Sequence, residues 1–410
     1  MAKPQKSIML FIFLFGAMFL FGLVENVRGV TYPLIKAEFS VSYEQQGMMV
    51  SLMSFSYVVF CMVGGILLGS LGVKKAFMAG FVFIILGLLA VFFMPGFWSI
   101  AAAMFVIFAG FGLFEVSSNA LAAQLFTTRT ALLMSLLHFF FGAGSALSPR
   151  AAGILSAAMS WRHVYLLSIP VVLIFFIPSL FTRFPKTDAP PDTAADTPAD
   201  TQQEKTPAKK LSFFTALKNP MVWIFAVTLG CMMTVEISTP NWAGLYFQDV
   251  YHLDPKTAGA AFVSNFFILF TISRLVSGFV IEKIGYLRSI FIATFIAIFI
   301  YILGFFLGAG GIYILPVLGF FVSIFWPTIL ATAMGYFKKD APVMTSAIIV
   351  IAGAINGGNQ FLIGLTNRLI GPAWGYRSCL VYAVIIIALL AVLTKRIRNT
   401  FKGQVRSADD

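Results

Sequence analysis

Long apolar runs separated by short polar junctions dominate the chain. A helix needs about 20 mostly apolar residues to cross a bilayer core. Runs of that kind fall at approximately 8–34, 47–70, 75–95, 98–126, 131–157 and 162–182, and again at 220–242, 259–281, 288–308, 311–335, 341–367 and 374–394. The pattern predicts an all-α membrane protein with twelve crossings, six on either side of one long polar stretch. The first run is too long, and too polar at its end, for a cleaved signal peptide, so it counts as a crossing. The polar stretch at 184–219 contains PKTDAPPDTAADTPADTQQEKTPAKK, which lacks the apolar content for a core and reads as a mobile cytoplasmic linker. The expected division is an N-terminal half at 1–183, the linker at 184–219, a C-terminal half at 220–397 and a cytoplasmic tail at 398–410.

Basic residues orient this arrangement. With both termini in the cytoplasm, Lys3, Lys6, Lys74, Lys75, Arg129, Lys338, Lys339, Lys395, Arg396 and Arg398 fall inside, and only Lys36, Arg162, Lys256, Arg368 and Arg377 fall near the outer surface. That asymmetry follows the positive-inside bias of multi-pass proteins of the bacterial cytoplasmic membrane. It also accounts for the net charge of +12, together with anionic lipid headgroups, so nucleic acid is not an expected partner. Apolar residues make up 59% of the 410 and charged residues 11%, against about 25% charged in a soluble domain.

The two halves repeat each other. Gly65, Gly69, Gly72 and Lys75 in GILLGSLGVKK have the spacings of Gly278, Glu282, Gly285 and Arg288 in GFVIEKIGYLR, 213 residues later. Small residues let helix ends approach closely, and a tight turn followed by a basic residue suits the cytoplasmic end of a helix pair. Trp161-Arg162 and Tyr376-Arg377 form a looser second match. On these segments the chain resembles the major facilitator superfamily, with Glu282 in the usual acidic position and Gly69 there in the first copy. The resemblance implies a twelve-helix fold of two pseudo-symmetric six-helix halves that rock about a central site. Lys75, Glu282 and Arg288 are then residues of gating and architecture.

Chemistry concentrates in the few polar residues inside the apolar runs. Glu25, Glu115 and Glu236 each sit where water does not solvate a charge, and such a carboxylate needs a polar cavity, a partner or a proton. Glu115 and Asn119 share one face of the fourth helix, which suits either a proton-binding site beside a sugar-binding amide or an interhelical hydrogen bond. Glu25 lies three residues before Arg28, so it is either a proton carrier or the fixed counterion of Arg28. Gly29 and Pro33 are expected to loosen the end of this helix and expose Asn26 to a cavity. Pro240 is expected to break the seventh helix near Glu236, Asn241 and Trp242. Trp242 fits either stacking on a sugar ring or the aromatic belt of the outer rim. His138 fits a proton relay or a packed neutral ring. Arg150 fits pairing with a membrane acid or gripping an anionic solute. Asn356, Asn359 and Gln360 form an uncharged patch on the eleventh helix, Trp326 a possible cavity wall, and Arg274 a snorkelling or gate residue near the cytoplasmic end of the eighth.

GFGLFEVSSNALAAQLF, LLHFFFGAGSALSP and VEISTPNWAGLYF resemble the fucose permease-like branch of that superfamily. The resemblance implies secondary active symport of a neutral sugar or related polyhydroxyl solute with H+, through Glu115 with Glu25 as a second candidate, or with Na+ in a variant of the scheme. The alternative is proton-driven export of a small metabolite or amphipathic drug. Enzyme chemistry is not expected. His138, His163 and His252 are scattered, no phosphate-cradling loop occurs, Cys61, Cys231 and Cys379 fall within membrane segments, and neither cofactor nor metal is implied. The expected functional unit is a monomer in contact with lipid, the small solute and the coupling ion.

Overall fold

In hydrocarbon every backbone N–H and C=O must bond within the protein, and long apolar runs therefore become helices. The structure, a computed structural model, describes residues 4–127, 130–184 and 213–409, and among these there is no strand. Most of the expected linker, and Arg129, lie outside the described residues.

The first crossing is split. α1 (Pro4–Glu25) and α2 (Arg28–Phe39) are separated by a turn at Asn26 and Val27. α3 (Tyr43–Leu71), α4 (Val73–Phe93), α5 (Phe97–Leu125), α6 (Thr130–Ala158) and α7 (Arg162–Phe181) complete the first half. After the short α8 (Phe213–Ala216), the second half comprises α9 (Pro220–Tyr251), a π-helical turn at Pro255–Gly259, α10 (Ala260–Ile284) and α11 (Tyr286–Phe306). Its tenth crossing is assembled from α12 (Gly311–Ile314), α13 (Leu318–Val322) and α14 (Phe325–Phe337), and α15 (Ala341–Leu369) and α16 (Pro372–Asp409) follow. Eleven segments among the described residues are long and apolar enough to cross a membrane, and α6, 29 residues long, occupies the place of the fifth expected crossing. The protein is a multi-pass membrane protein.

Local signals set the boundaries. Ser42 and Gln45 form a reciprocal capping box that starts α3, and Asn219 caps α9 with Pro220 in its first turn. Gly72 and Gly285, equivalent in the internal repeat, both adopt positive φ (80° and 92°) between α3 and α4 and between α10 and α11. Only glycine takes that conformation without strain, which is why the repeat keeps it. The second match also has a structural basis. Arg162 donates to Val91 O and Met94 O at the end of the third crossing, and Arg377 lies over the Phe305 ring near the end of the ninth.

Buried apolar side chains divide into one cluster drawn from α1 to α7 and another from α8 to α16, with Ala260 of α10 joining the first. The end of the bundle carrying Lys74, Lys75, Lys338 and Lys339 is called the basic end here, and the opposite one the far end. α3 packs along α15 and α6 along α10, forming two seams between the halves. At the far end of the first seam the backbones nearly touch. A Cβ on Gly364 would lie 2.6 Å from Tyr43 O and 2.8 Å from Gly47 Cα. A Cβ on Gly65, Gly72, Gly278 or Gly285, near the basic end, would meet nothing within 4 Å.

Gly364→Val is therefore expected to force the far ends apart. Overpacking costs about 1–3 kcal/mol, a shift of about 5- to 150-fold away from this conformation. Alkylation of a cysteine placed at the buried Val41 should accelerate accordingly, and an unchanged rate contradicts the seam described here.

Candidate functional site

A cavity of about 210 Å³ lies between the halves, lined by residues of both. Its charged groups are Glu25 and Arg28 from the split first crossing, Glu115 from α5, and Glu236 and Arg274 from α9 and α10. His138 of α6, Tyr57 of α3, Trp326 of α14 and Asn356 of α15 add further polar or aromatic surface. Three carboxylates thus face two guanidinium groups, and the cavity is too small for a typical drug-sized ligand.

The local fold determines how each charge is held. The turn at Asn26 and Val27 brings the last residue of α1 against the first of α2, and Arg28 Nη2 donates to Glu25 Oε1 at 2.8 Å. The Arg28 guanidinium also lies 5.0 Å from the centre of the Phe108 ring. Glu236 and Arg274 come from separate helices and stand 3.9 Å apart, too far for a hydrogen bond, with Arg274 4.6 Å from the Phe270 ring centre. Glu115 accepts a hydrogen bond from Asn119 Nδ2 at 3.1 Å, and among the described residues no cation lies within ion-pair distance of it. The helical spacing that puts Glu115 and Asn119 one turn apart gives the acid a neutral partner.

Several expected residues are placed elsewhere. Asn26 reaches the cavity wall, but its amide donates to Gly22 O at 3.2 Å and Ser145 Oγ at 3.0 Å, locking the break in the first crossing to α6. Trp242 is neither at a rim nor in the cavity; it is buried and donates from Nε1 to Gln360 Oε1 at 2.8 Å. Gln360 in turn donates to Ser238 Oγ and Asn356 Oδ1, and Asn359 donates to Thr234 Oγ1. The polar patch of the eleventh crossing therefore joins α15 to α9, with Asn356 alone of its three members on the cavity. Asn241 is buried outside the cavity lining.

Two helix readings are corrected. α9 runs unbroken through Pro240, because the segment from Ser238 to Phe247 is buried on all sides and held by its neighbours despite the missing donor. Arg274 belongs to the cavity wall rather than to the end of its helix, since the face of α10 that carries it turns toward α9 and the first half. Arg150 lies off the cavity and donates from Nη2 to Asn265 Oδ1 at 3.0 Å, bridging α6 and α10. Lys75, Glu282 and Arg288 are exposed at the basic end.

At the far end a latch of charges crosses the halves. Asp249 of α9 pairs with Lys36 of α2 at 3.5 Å and accepts from the Tyr43 hydroxyl, while Lys36 lies 4.4 Å from the Tyr43 ring centre. Arg368 of α15 pairs with Glu44 of α3. Asp249, Glu44 and Tyr43 escape the sequence reading. Their signal is indirect: Lys36 and Arg368 are among the few cations expected on the outer surface, and each has an acid in the opposite half.

Comparison with known proteins matches residues 14–358 to the family model of the Major Facilitator Superfamily. The L-fucose-proton symporter of Escherichia coli is 23% identical over 390 residues, covering 86% of each chain. A hexuronate transporter of Bacillus subtilis is 24% identical over 249 residues, 60% of this chain and 58% of that protein. Among solved structures, the fucose:proton symporter of E. coli superimposes with a TM-score of 0.64 at 17% identity, covering 95% of this chain and 99% of that one. A bacterial homologue of the human lysosomal transporter Spinster, inward-facing and occupied, gives 0.73 at 14% identity over 98% and 99%.

Arg28→Ala leaves the Glu25 carboxylate without its cation. Removing one member of a desolvated pair costs about 3 kcal/mol or more, whereas neutralising both is nearly neutral. Thermal unfolding in detergent should show a clear loss for Arg28→Ala that Glu25→Gln added to it largely restores. Equal melting temperatures for the single and double variants contradict the pairing.

Proposed function

The chain belongs to the major facilitator superfamily, and on that premise we propose that it is a proton-coupled symporter of a neutral sugar or related polyhydroxyl solute in the bacterial cytoplasmic membrane, with both termini cytoplasmic. The observation that carries this reading is Glu115: a carboxylate on the cavity wall with an amide partner and no guanidinium. A proton removes the cost of its burial and an ion pair does not compete for it. Glu25, held by Arg28 at 2.8 Å, is the fixed member of the set.

The charge count supports a neutral solute. A solute bearing a carboxylate, such as the hexuronate of one relative's name, would add a fourth anion to a cavity with two guanidinium groups. A neutral polyol adds none, and Asn356 and His138 offer donors and acceptors for its hydroxyls. The small volume favours such a solute over an amphipathic drug. H+ is favoured over Na+ because a carboxylate takes up a proton alone, while a metal cation needs several oxygen ligands.

With the basic end cytoplasmic, the seams and the far-end latch close the outer side and the cavity is accessible from within. Solute and proton enter from the opposite conformation, in which the latch at Asp249 and Glu44 is open. Protonation of Glu115 and filling of the cavity then let the halves rock to the arrangement described here, where both are released.

A screen of neutral sugars, beginning with L-fucose, in proteoliposomes under imposed proton and sodium gradients tests the reading. The accumulated sugar should follow the proton gradient. Glu115→Gln should abolish accumulation while retaining sugar-for-sugar exchange. Accumulation that persists in Glu115→Gln, or that follows sodium alone, contradicts it.

A further inference from the structure

The two ion pairs of the cavity differ in kind. Glu25 and Arg28 are three residues apart in one half, hydrogen-bonded at 2.8 Å. Arg274 stands 3.9 Å from Glu236 and makes no hydrogen bond to it; its buried Nε has no partner, as is also true of Arg28 Nε, so the pairs differ in whether guanidinium and carboxylate are hydrogen-bonded. A guanidinium carries five donors, and a buried donor left unmade is costly, so this side chain is held far short of its capacity. Phe270 beneath it offers an aromatic face along which the planar group slides while retaining contact. On the opposite wall Glu115 has an amide and no cation. Arg274 and Glu115 line the same cavity.

Resting on the symport reading above, we propose that Arg274 is the mobile counter-charge of the transport cycle: it stands opposite Glu236 while Glu115 is protonated and pairs with the Glu115 carboxylate once the proton has left to water. The consequence is mechanical. Glu236 and Arg274 belong to the same half, so their pairing does not join the halves. Glu115 is on α5 and Arg274 on α10, so their pairing does. The halves are packed together along the far-end seam, and drawing the cavity walls together about that seam narrows the basic end. Loss of the proton on the cytoplasmic side therefore closes the inner mouth and drives the empty carrier outward. The other titratable groups facing the cavity are Glu25, Arg28, Tyr57 and His138. Glu25 and Arg28 are hydrogen-bonded to each other, and neither Tyr57 nor His138 supplies a permanent cation.

The test needs no substrate. Nitroxides are attached at Gly65→Cys and Gly278→Cys, one in each half near the basic end, with Cys61, Cys231 and Cys379 replaced by serine. Their separation is measured by double electron-electron resonance in the empty protein over a range of pH. In the otherwise native protein the short-distance population should grow relative to the long one by at least about fivefold as pH rises, a typical coupling between sites. Arg274→Gln should abolish that response, Arg274→Lys should recover it, and Glu236→Gln, which removes the competing carboxylate, should move the response to lower pH. A response lost in Glu115→Gln but intact in Arg274→Gln overturns the role of Arg274 and leaves Glu115 coupling in place. Absence of any response in the otherwise native protein overturns both. If Arg274→Gln does not fold, a response at unchanged pH in Glu236→Gln overturns the proposal by itself.

Discussion

Charge inside an apolar bundle persists only where an opposite charge, a polar partner or water reaches it. The walls of the central cavity meet that requirement unevenly: Glu25 has Arg28, Glu236 has a loosely held Arg274, and Glu115 has Asn119 alone. Three carboxylates against two guanidinium groups leave one negative charge that either a proton or a rearrangement neutralises. The functional reading follows from that imbalance, because a group that must gain or lose a proton, set between two mobile halves, ties protonation to their relative position.

The architecture supplies the motion. Backbone contact at Gly47 and Gly364 shows how closely the seam between α3 and α15 approaches at the far end, and the latch through Asp249 and Glu44 adds charge to the same closure. The latch pairs keep partial access to water, and ion pairs near a surface are worth little individually. They suit a gate for that reason, since a contact that must break in every cycle serves best when it is weak. The polar patch on α15 does different work. Gln360, Asn359, Trp242 and Ser238 bind α9 to α15 inside one half, which lets that half move as a body.

Much of this was legible in the residue pattern, and the reasons for the rest are physical. Apolar run length gave the twelve crossings, and the repeat around Gly72 and Gly285 gave the two turns of positive φ. Glu25, Glu115 and Glu236 do line one cavity, since an acid in an apolar run has few other places to go. Trp242, Asn359 and Gln360 were ambiguous because helical spacing says which residues share a face but not whether that face meets a cavity or a neighbouring helix. The position of Arg274 along the chain puts it toward one end of its helix and says nothing about which side of the helix carries it. The partners of Lys36 and Arg368 lie more than 200 residues away in the opposite half, beyond the reach of any local pattern.

The central claim is that Glu115 is the group in the cavity that exchanges a proton. The most direct measurement is potentiometric proton titration of the purified empty protein and of Glu115→Gln across the pH interval in which both stay folded, subtracting one curve from the other. The account predicts a difference of about one proton per chain across that interval. Superimposable curves would contradict it.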